Sequence, residues 1–271
     1  AYDALLKPFR LKHLNLRNRV MSSGHTPGYP VDGMPLERYR LYHEEKAKGG
    51  IGLTIFGGSS AVSPDCRAAF GQMTAAEDEV VPHLRTLAQA VHGHGAALMC
   101  QISHMGRHAH WNSGNWLAPV APSALREPWH RAHPRAMEDW DFRRIVRDFG
   151  QAARRCKEGC LDGVELSFSG THLIAQFWSP AINRRTDNHG GSFQNRMRFS
   201  LEVIDEVRRQ VGDDFIVGAR ISGDELMEGG LSAAECLDVI RTVAATGAID
   251  FIDVMHGNTV DYPALAVLMP N

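Results

Sequence analysis

The sequence predicts an α/β fold, a (β/α)8 TIM-type barrel that this chain follows through about six βα units before it stops at Asn271. Short apolar runs alternate with amphipathic helical patterns along the whole length. Glycines sit just past the helical patterns, where a reversing chain uses the left-handed region. Polar or small residues follow nearly every apolar run, and in a barrel those strand ends converge on one mouth.

The apolar runs are residues 19–22, 52–56, 97–102, 163–167, 215–221 and 251–255. Each is nearly continuous in apolar character, as expected of parallel strands covered on both faces. Helical patterns fill the gaps at residues 36–48, 80–94, 139–158, 192–211 and 232–246. Ser192 reads as an N-cap, and Ser232 with Glu235 reads as a capping box. Gly95, Gly159, Gly212 and Gly247 are the expected left-handed stops. A doubly wound sheet would gather its chemistry at one switch point. Here polar groups follow almost every strand: Ser23-Gly24-His25, Gly57-Gly58-Ser59, Gln101 with His104, Ser169 to His172, Arg220 with Ser222, and Asp253 with His256. No Gly-x-Gly-x-x-Gly follows the first run, which lowers the dinucleotide-fold option further. Residues 176–196 read as one long loop, and residues 106–138, rich in His, Trp and Pro, as an excursion over the mouth.

Bulk composition narrows the partners. The net charge is −2 over 271 residues with both signs interspersed, so no basic stripe for nucleic acid is present. No apolar run reaches membrane-spanning length, and the first residues lack a signal-peptide pattern. Five scattered cysteines imply no disulfide framework; Cys156 and Cys160 read as two small helix residues, and a reducing cytoplasm is the expected compartment. A single domain spanning residues 1–271 is expected, acting on a small molecule, with homo-oligomerisation left open.

Three separated motifs carry a family resemblance. They are Leu16-Arg17-Asn18-Arg19-Val20, Gln101-Ile102-Ser103-His104-Met105-Gly106-Arg107, and Arg184-Arg185-Thr186-Asp187-Asn188-His189-Gly190-Gly191-Ser192-Phe193-Gln194-Asn195-Arg196. On these the chain resembles the old yellow enzyme family of FMN-dependent barrels over nearly its whole length. Ser23-Gly24-His25-Thr26-Pro27-Gly28-Tyr29 and Tyr42-His43-Glu44-Glu45 look like the subgroup of trimethylamine dehydrogenase and the N-methylproline (stachydrine) demethylases.

The resemblance implies a set of flavin residues. Gln101 would pair with the pyrimidine edge of the isoalloxazine, because an amide both donates and accepts. Arg220 would place a fixed positive charge near N1 and O2. Ser23, Gly24, His25 and Ser59 would line the ring. Thr26 stands where trimethylamine dehydrogenase has a flavin-linked cysteine, so the FMN is expected to be non-covalent. The carbonyl-holding pair of the ene-reductase branch is replaced by Ser167 and Gly170. His172 stands at the usual proton-donating tyrosine, either to exchange a proton near neutral pH or as a satisfied rim histidine. Asp253 is expected to balance a substrate ammonium or to brace its strand end. The family's seventh and eighth strands hold the FMN phosphate. A longer parent protein is therefore expected, with NAD(P)H use and a [4Fe–4S] cluster as further implications of the subgroup.

The expected function is oxidative N-demethylation of a small methylated amine or amino acid by hydride transfer to flavin N5. Tyr29, Trp116, Trp129 and Trp178 are candidate walls for its cation. The alternatives are an NAD(P)H-dependent ene or dienoyl-CoA reductase and a flavin-less, non-catalytic barrel fragment. A zinc site at His104, His108 and His110 is weighed as well, but no carboxylate ligand lies near it in the sequence.

Overall fold

Every one of the six expected strands is present, and all six belong to a single parallel sheet in the computed structural model, which describes residues 2–66, 71–109, 118–128, 131–170 and 172–257. The chain opens with a one-turn helix α1 (Asp3–Leu6) and an antiparallel hairpin, β1 (Phe9–Leu11) and β2 (Leu14–Leu16). The alternation then begins: β3 (Met21–Ser22), α2 (Glu37–Lys48), β4 (Leu53–Ala61), α3 (Val80–His92) and β5 (Ala97–Ser103). A small parallel pair, β6 (Val120–Ala121) and β7 (Arg135–Ala136), interrupts it. It resumes with α4 (Asp139–Glu158), β8 (Gly163–Phe168), α5 (Leu173–Trp178), α6 (Phe193–Val211), β9 (Ile216–Ser222), α7 (Ala233–Ala245) and β10 (Phe251–Met255).

The strand order is β3-β4-β5-β8-β9-β10, each strand parallel to its neighbour, and the sheet curls into a half-barrel. On its outer side the helices bury their apolar stripes. Leu84, Leu87 and Val91 of α3, Phe149 of α4 and Val203 of α6 are all closed to solvent and share one core. Each such side chain contributes roughly 1.5–3 kcal/mol relative to exposure. On the inner side the lower layer is apolar. Leu11, Leu14 and Leu16 of the hairpin pack on Leu53, Ile55, Met99, Ile216 and Phe251 and plug the barrel floor. Gly218 belongs to this layer, since a Cβ there would enter the Phe251 ring. The hairpin had no counterpart among the expected elements.

Local chemistry explains where the helices begin. Ser192 accepts from the Asn195 amide, and Ser232 with Glu235 forms the expected capping box. Helix α4 carries a further capping box built from Glu138 and Asp141. Gly95, Gly212 and Gly247 are left-handed as expected. Gly159 is not: its φ is −74°, and the left-handed residue is Cys160 at φ 61°. Gly159 is instead a close-approach glycine, because a Cβ there would strike Leu84. Cys160 thus lies beyond the helix and is exposed, whereas Cys156 is buried within it.

Two further expectations need correction. The second barrel strand does not end at Phe56 but continues to Ala61 through a register shift between Phe56 and Ser60. The 176–196 segment is not all loop, since Leu173–Trp178 is helical and buried throughout. The remainder is tied down by its own motif. Arg185 donates to the carbonyls of Pro122 and Met137, Asn183 to those of Phe177 and His189, and Arg196 to those of Trp178 and Gly191. The signature is a clamp on the fold. Among the described residues, no helix is long and apolar enough to cross a membrane.

Candidate active site

Above the apolar floor the same sheet face turns polar, and strand register decides which groups meet. Gln101 pairs with Glu165 across β5 and β8, and Arg220 pairs with Ser167 on one side and Asp253 on the other. The resulting network joins five of the expected residues: Gly24, Ser59, Gln101, Arg220 and Asp253.

Gln101 is its centre. The Ser59 amide donates to Gln101 Oε1 at 2.9 Å, and Gln101 Nε2 donates to Glu165 Oε1 at 2.6 Å. These contacts leave one N–H and one lone pair of the amide unused among the described residues. Gly24 presses on the same side chain, where a Cβ would lie 2.6 Å from Nε2 and 2.8 Å from Cδ. Ser59 reaches Gln101 because Gly57, Gly58 and Ser59 are all left-handed, at φ 97°, 49° and 75°. The glycines take this without strain, but Ser59 does not, at a cost of order 1 kcal/mol. Its carbonyl is gripped by Gln72 Nε2. Thr26 donates to the carbonyls of Gly57 and Gly58, which fastens the end of β3 to this bulge.

Arg220 Nη1 lies 3.4 Å from the Gly24 carbonyl and 3.5 Å from Asp253 Oδ2. It therefore spans the mouth from β9 to the segment after β3. Glu165 lies beneath, fully buried, and its pKa is pushed up to about 7. Burial is the largest cause; the Asp253 charge adds to it, while Gln101 and Arg220 oppose it. Sequence reasoning missed Glu165. Its signal was a lone carboxylate inside an apolar run covered on both faces.

His172 sits at the rim with Nδ1 2.9 Å from Ser103 Oγ and 3.0 Å from Ser167 Oγ. Burial, with His108 and Arg220 nearby, pushes its pKa down to about 3. A pKa this low weighs against the expected proton exchange near neutral pH. His25 turns to α2, with Nε2 2.7 Å from the Tyr42 hydroxyl and 3.5 Å from Lys46 Nζ. Burial and the Lys46 charge lower its pKa. Ser23 joins only through its carbonyl, 3.4 Å from His25 Nδ1.

Of the four candidate wall aromatics, Tyr29 and Trp178 are among the described residues. Trp178 is buried, donates to Ser200 Oγ at 3.0 Å and packs on Phe168, away from the mouth. The Tyr29 ring is covered by Arg38, 3.9 Å from its centroid. Trp116 and Trp129 lie outside the described residues. His104 pairs with Asp65 and His108 with Glu127, while His110 lies outside the described residues. Among the described residues no cluster suits a metal ion.

These groups fit a flavin ring. The amide edge left on Gln101, the fixed guanidinium of Arg220 and the side-chain-free Gly24 offer a polar edge, a positive charge and a close backbone approach. Bound there, FMN would supply the hydride acceptor.

Comparison with known proteins agrees with this geometry. Residues 4–267 match the model of the NADH:flavin oxidoreductase / NADH oxidase family. A multifunctional alkene reductase/demethylase of Caballeronia cordobensis is 51% identical over 98% of this chain. A probable N-methylproline demethylase of Rhizobium meliloti is 47% identical over 99% of it. The chain spans 39% of the length of each of these relatives. The solved complex of 2-naphthoyl-CoA reductase with 2-naphthoyl-CoA superimposes with a TM-score of 0.91 at 29% identity, over 95% of this chain and 41% of that one. With the old yellow enzyme motifs, the parallel half-barrel and the family match in agreement, the chain is a member of the NADH:flavin oxidoreductase / NADH oxidase family.

Proposed function

We propose that the chain is the flavin-binding part of an FMN-dependent oxidoreductase that oxidatively N-demethylates a small methylated amine or amino acid. One observation carries this reading: Ser167 and Gly170, the positions of the reductase branch's carbonyl-holding pair, do not form a pair of donors for a substrate carbonyl. Gly170 has no side chain, and Ser167 Oγ is 3.0 Å from the neutral His172 ring. An alkene reductase needs such donors to polarise its substrate, whereas an amine needs a negative or neutral polar surround. Asp253, half of the Arg220 ion pair, supplies the carboxylate. The two curated relatives above both have demethylase in their names.

In this reading the C–H bond of the N-methyl group breaks with its electron pair leaving as hydride. The nitrogen lone pair becomes the second bond of an iminium, which water converts to formaldehyde and the demethylated amine, releasing one proton. Arg220 would offset negative charge on the bound flavin, and Gln101 would hold its pyrimidine edge through the amide. His172, neutral and held near two serine hydroxyls, orients the substrate and does not serve as its acid.

Alkene reduction is the second reading, favoured by the other half of the Caballeronia relative's name. Anaerobic titration of the FMN-loaded protein separates the two. Bleaching near 450 nm by N-methylproline or trimethylamine, with formaldehyde released, is expected. Bleaching only by NADPH, with reoxidation only by an enone, would establish the reductase instead.

A further inference from the structure

We propose that Glu165 and Asp253 form a carboxyl–carboxylate pair that shares one proton beneath Arg220, with Glu165 acting as a positioning residue for Gln101 and as the site's proton store. Glu165 Oε1 is occupied by the Gln101 amide at 2.6 Å. Its other oxygen, Oε2, is buried and accepts no hydrogen bond among the described residues; Asp253 Oδ2 is likewise buried without a hydrogen bond and lies 3.5 Å from Arg220 Nη1. Two interacting buried carboxyl oxygens, neither accepting a hydrogen bond, are reconciled by one hydrogen on Glu165 Oε2, shared with Asp253.

The charged groups around Glu165 are few. Arg220 on β9 favours its ionisation and Asp253 on β10 opposes it; the neutral Gln101 on β5 donates to it. Arg220 is itself engaged with Asp253 at 3.5 Å. One cation therefore faces two carboxyls, and charge balance is reached with one of them protonated. Burial assigns the proton to Glu165, whose pKa is pushed up to about 7. Glu165 is also the carboxyl farther from the mouth, since it aligns with Gly218 while Asp253 aligns with Arg220.

The arrangement has two consequences. A protonated Glu165 accepts through Oε1 and donates through Oε2, so the Gln101 amide cannot flip. The proton store also responds to charge at the mouth. This second consequence rests on the flavin reading: two-electron, one-proton reduction of bound FMN would leave negative charge beside Arg220 and raise the Glu165 pKa. Below pH 7 Glu165 already holds its proton and nothing more is taken up. Above pH 7 a second proton enters, on Glu165 Oε2. Each extra proton per two electrons steepens the potential by ~30 mV per pH unit.

Two measurements test the proposal, and they fail separately. Infrared titration of the flavin-free chain in a Glu225→Gln background, used because burial also pushes the Glu225 pKa up to about 7, should show a protonated-carboxyl band that persists at pH 6 and is lost through about pH 7, and that adding Glu165→Gln removes. Absence of the band at pH 6, or its survival in E165Q, overturns the shared proton whether or not FMN binds. The potential of the FMN-loaded protein should then break to a steeper slope above pH 7, while E165Q follows a single line. A purely structural Glu165 would shift the potential equally at every pH, and equal slopes in both proteins overturn the proton-store role. If no flavin binds, the proposed function fails, and the infrared band still decides the pair. Should E165Q not fold, Glu165→Asp in the same background should move the band, and an unmoved band overturns the pair.

Discussion

Substituting Gly24→Ala tests whether the Gln101 amide is the fixed centre of the mouth. The added methyl would lie 2.6 Å from Gln101 Nε2, 2.8 Å from Cδ and 3.0 Å from Cβ, so rotating the amide alone does not clear it. Gln101 is buried, 3% exposed. Its movement breaks the bond from the Ser59 amide and the bond to Glu165. A neutral hydrogen bond contributes about 0.5–1.5 kcal/mol and one to a charged group about 1.5–3. The alternative, a shift of residues 23–25, sacrifices the Arg220 contact to the Gly24 carbonyl. Either route costs about 2–4 kcal/mol, which at roughly 2–4 °C per kcal/mol for a chain of this size lowers Tm by about 4–16 °C. Thermal unfolding of the flavin-free chain reads this directly, and FMN titration by fluorescence quenching should show at least about tenfold weaker binding, or 1.4 kcal/mol. Gly28→Ala is the control. It has φ 70° but open space around it, so it loses only the left-handed strain of about 1–2 kcal/mol and keeps its flavin affinity. Wild-type Tm and affinity in the Gly24→Ala protein would refute the assignment of Gln101 as a locked residue.

Two further outcomes follow from the floor and from the buried titrating groups. Gly218→Ala drives a methyl into the Phe251 ring and should destabilise by about 1–3 kcal/mol; Phe251→Leu in the same chain should recover part of that loss in urea unfolding. Stability against pH should form a plateau between about 4.5 and 6.5 and fall on both sides. Glu165 and Glu225 have folded pKa values raised from 4.5 to about 7, so their stabilisation is full below 4.5 and is lost as pH rises through 7. His43 and His172 are lowered from 6.5 to about 3, so theirs is full above 6.5 and is lost as pH falls through 3. A Tm that climbs steadily from pH 5 to pH 8 would contradict the alkaline limb.

How much of this was readable in the sequence depends on how each feature writes itself into residue order. A strand buried on both faces leaves a continuous apolar run, and an amphipathic helix leaves a period; α4 was expected at residues 139–158 and is found at Asp139–Glu158. Helix α5 left no period because all six of its residues are buried, so nothing distinguished it from an apolar loop. The hairpin strands are three residues each, too short for alternation to register. The bulge at Gly57-Gly58-Ser59 read as a strand end because glycine usually interrupts pairing. Here the same glycines permit the left-handed turn that aims the Ser59 amide at Gln101. Glu165 was visible as a charge in an apolar run, but its partner Asp253 lies far away in sequence, and only strand register brings them together.

That distance accounts for the separation between the family's most recognisable motif and its chemistry. The Arg184-to-Arg196 signature is contiguous because its partners are local carbonyls and neighbouring helices, a task that needs a fixed order of residues over a short span. The mouth cannot be contiguous. Arg220 reaches Gly24 across 196 residues, and β4, β5 and β8 lie between their strands in the sheet. A flat sheet would hold strands four places apart at roughly 19 Å. The Arg220–Gly24 contact therefore exists only because the sheet curls. The curl is in turn set by the apolar floor on which Leu14, Ile216 and Phe251 pack. Floor packing and site geometry are consequently one variable: a substitution that flattens the sheet below will separate Arg220 from Gly24 above without touching either residue.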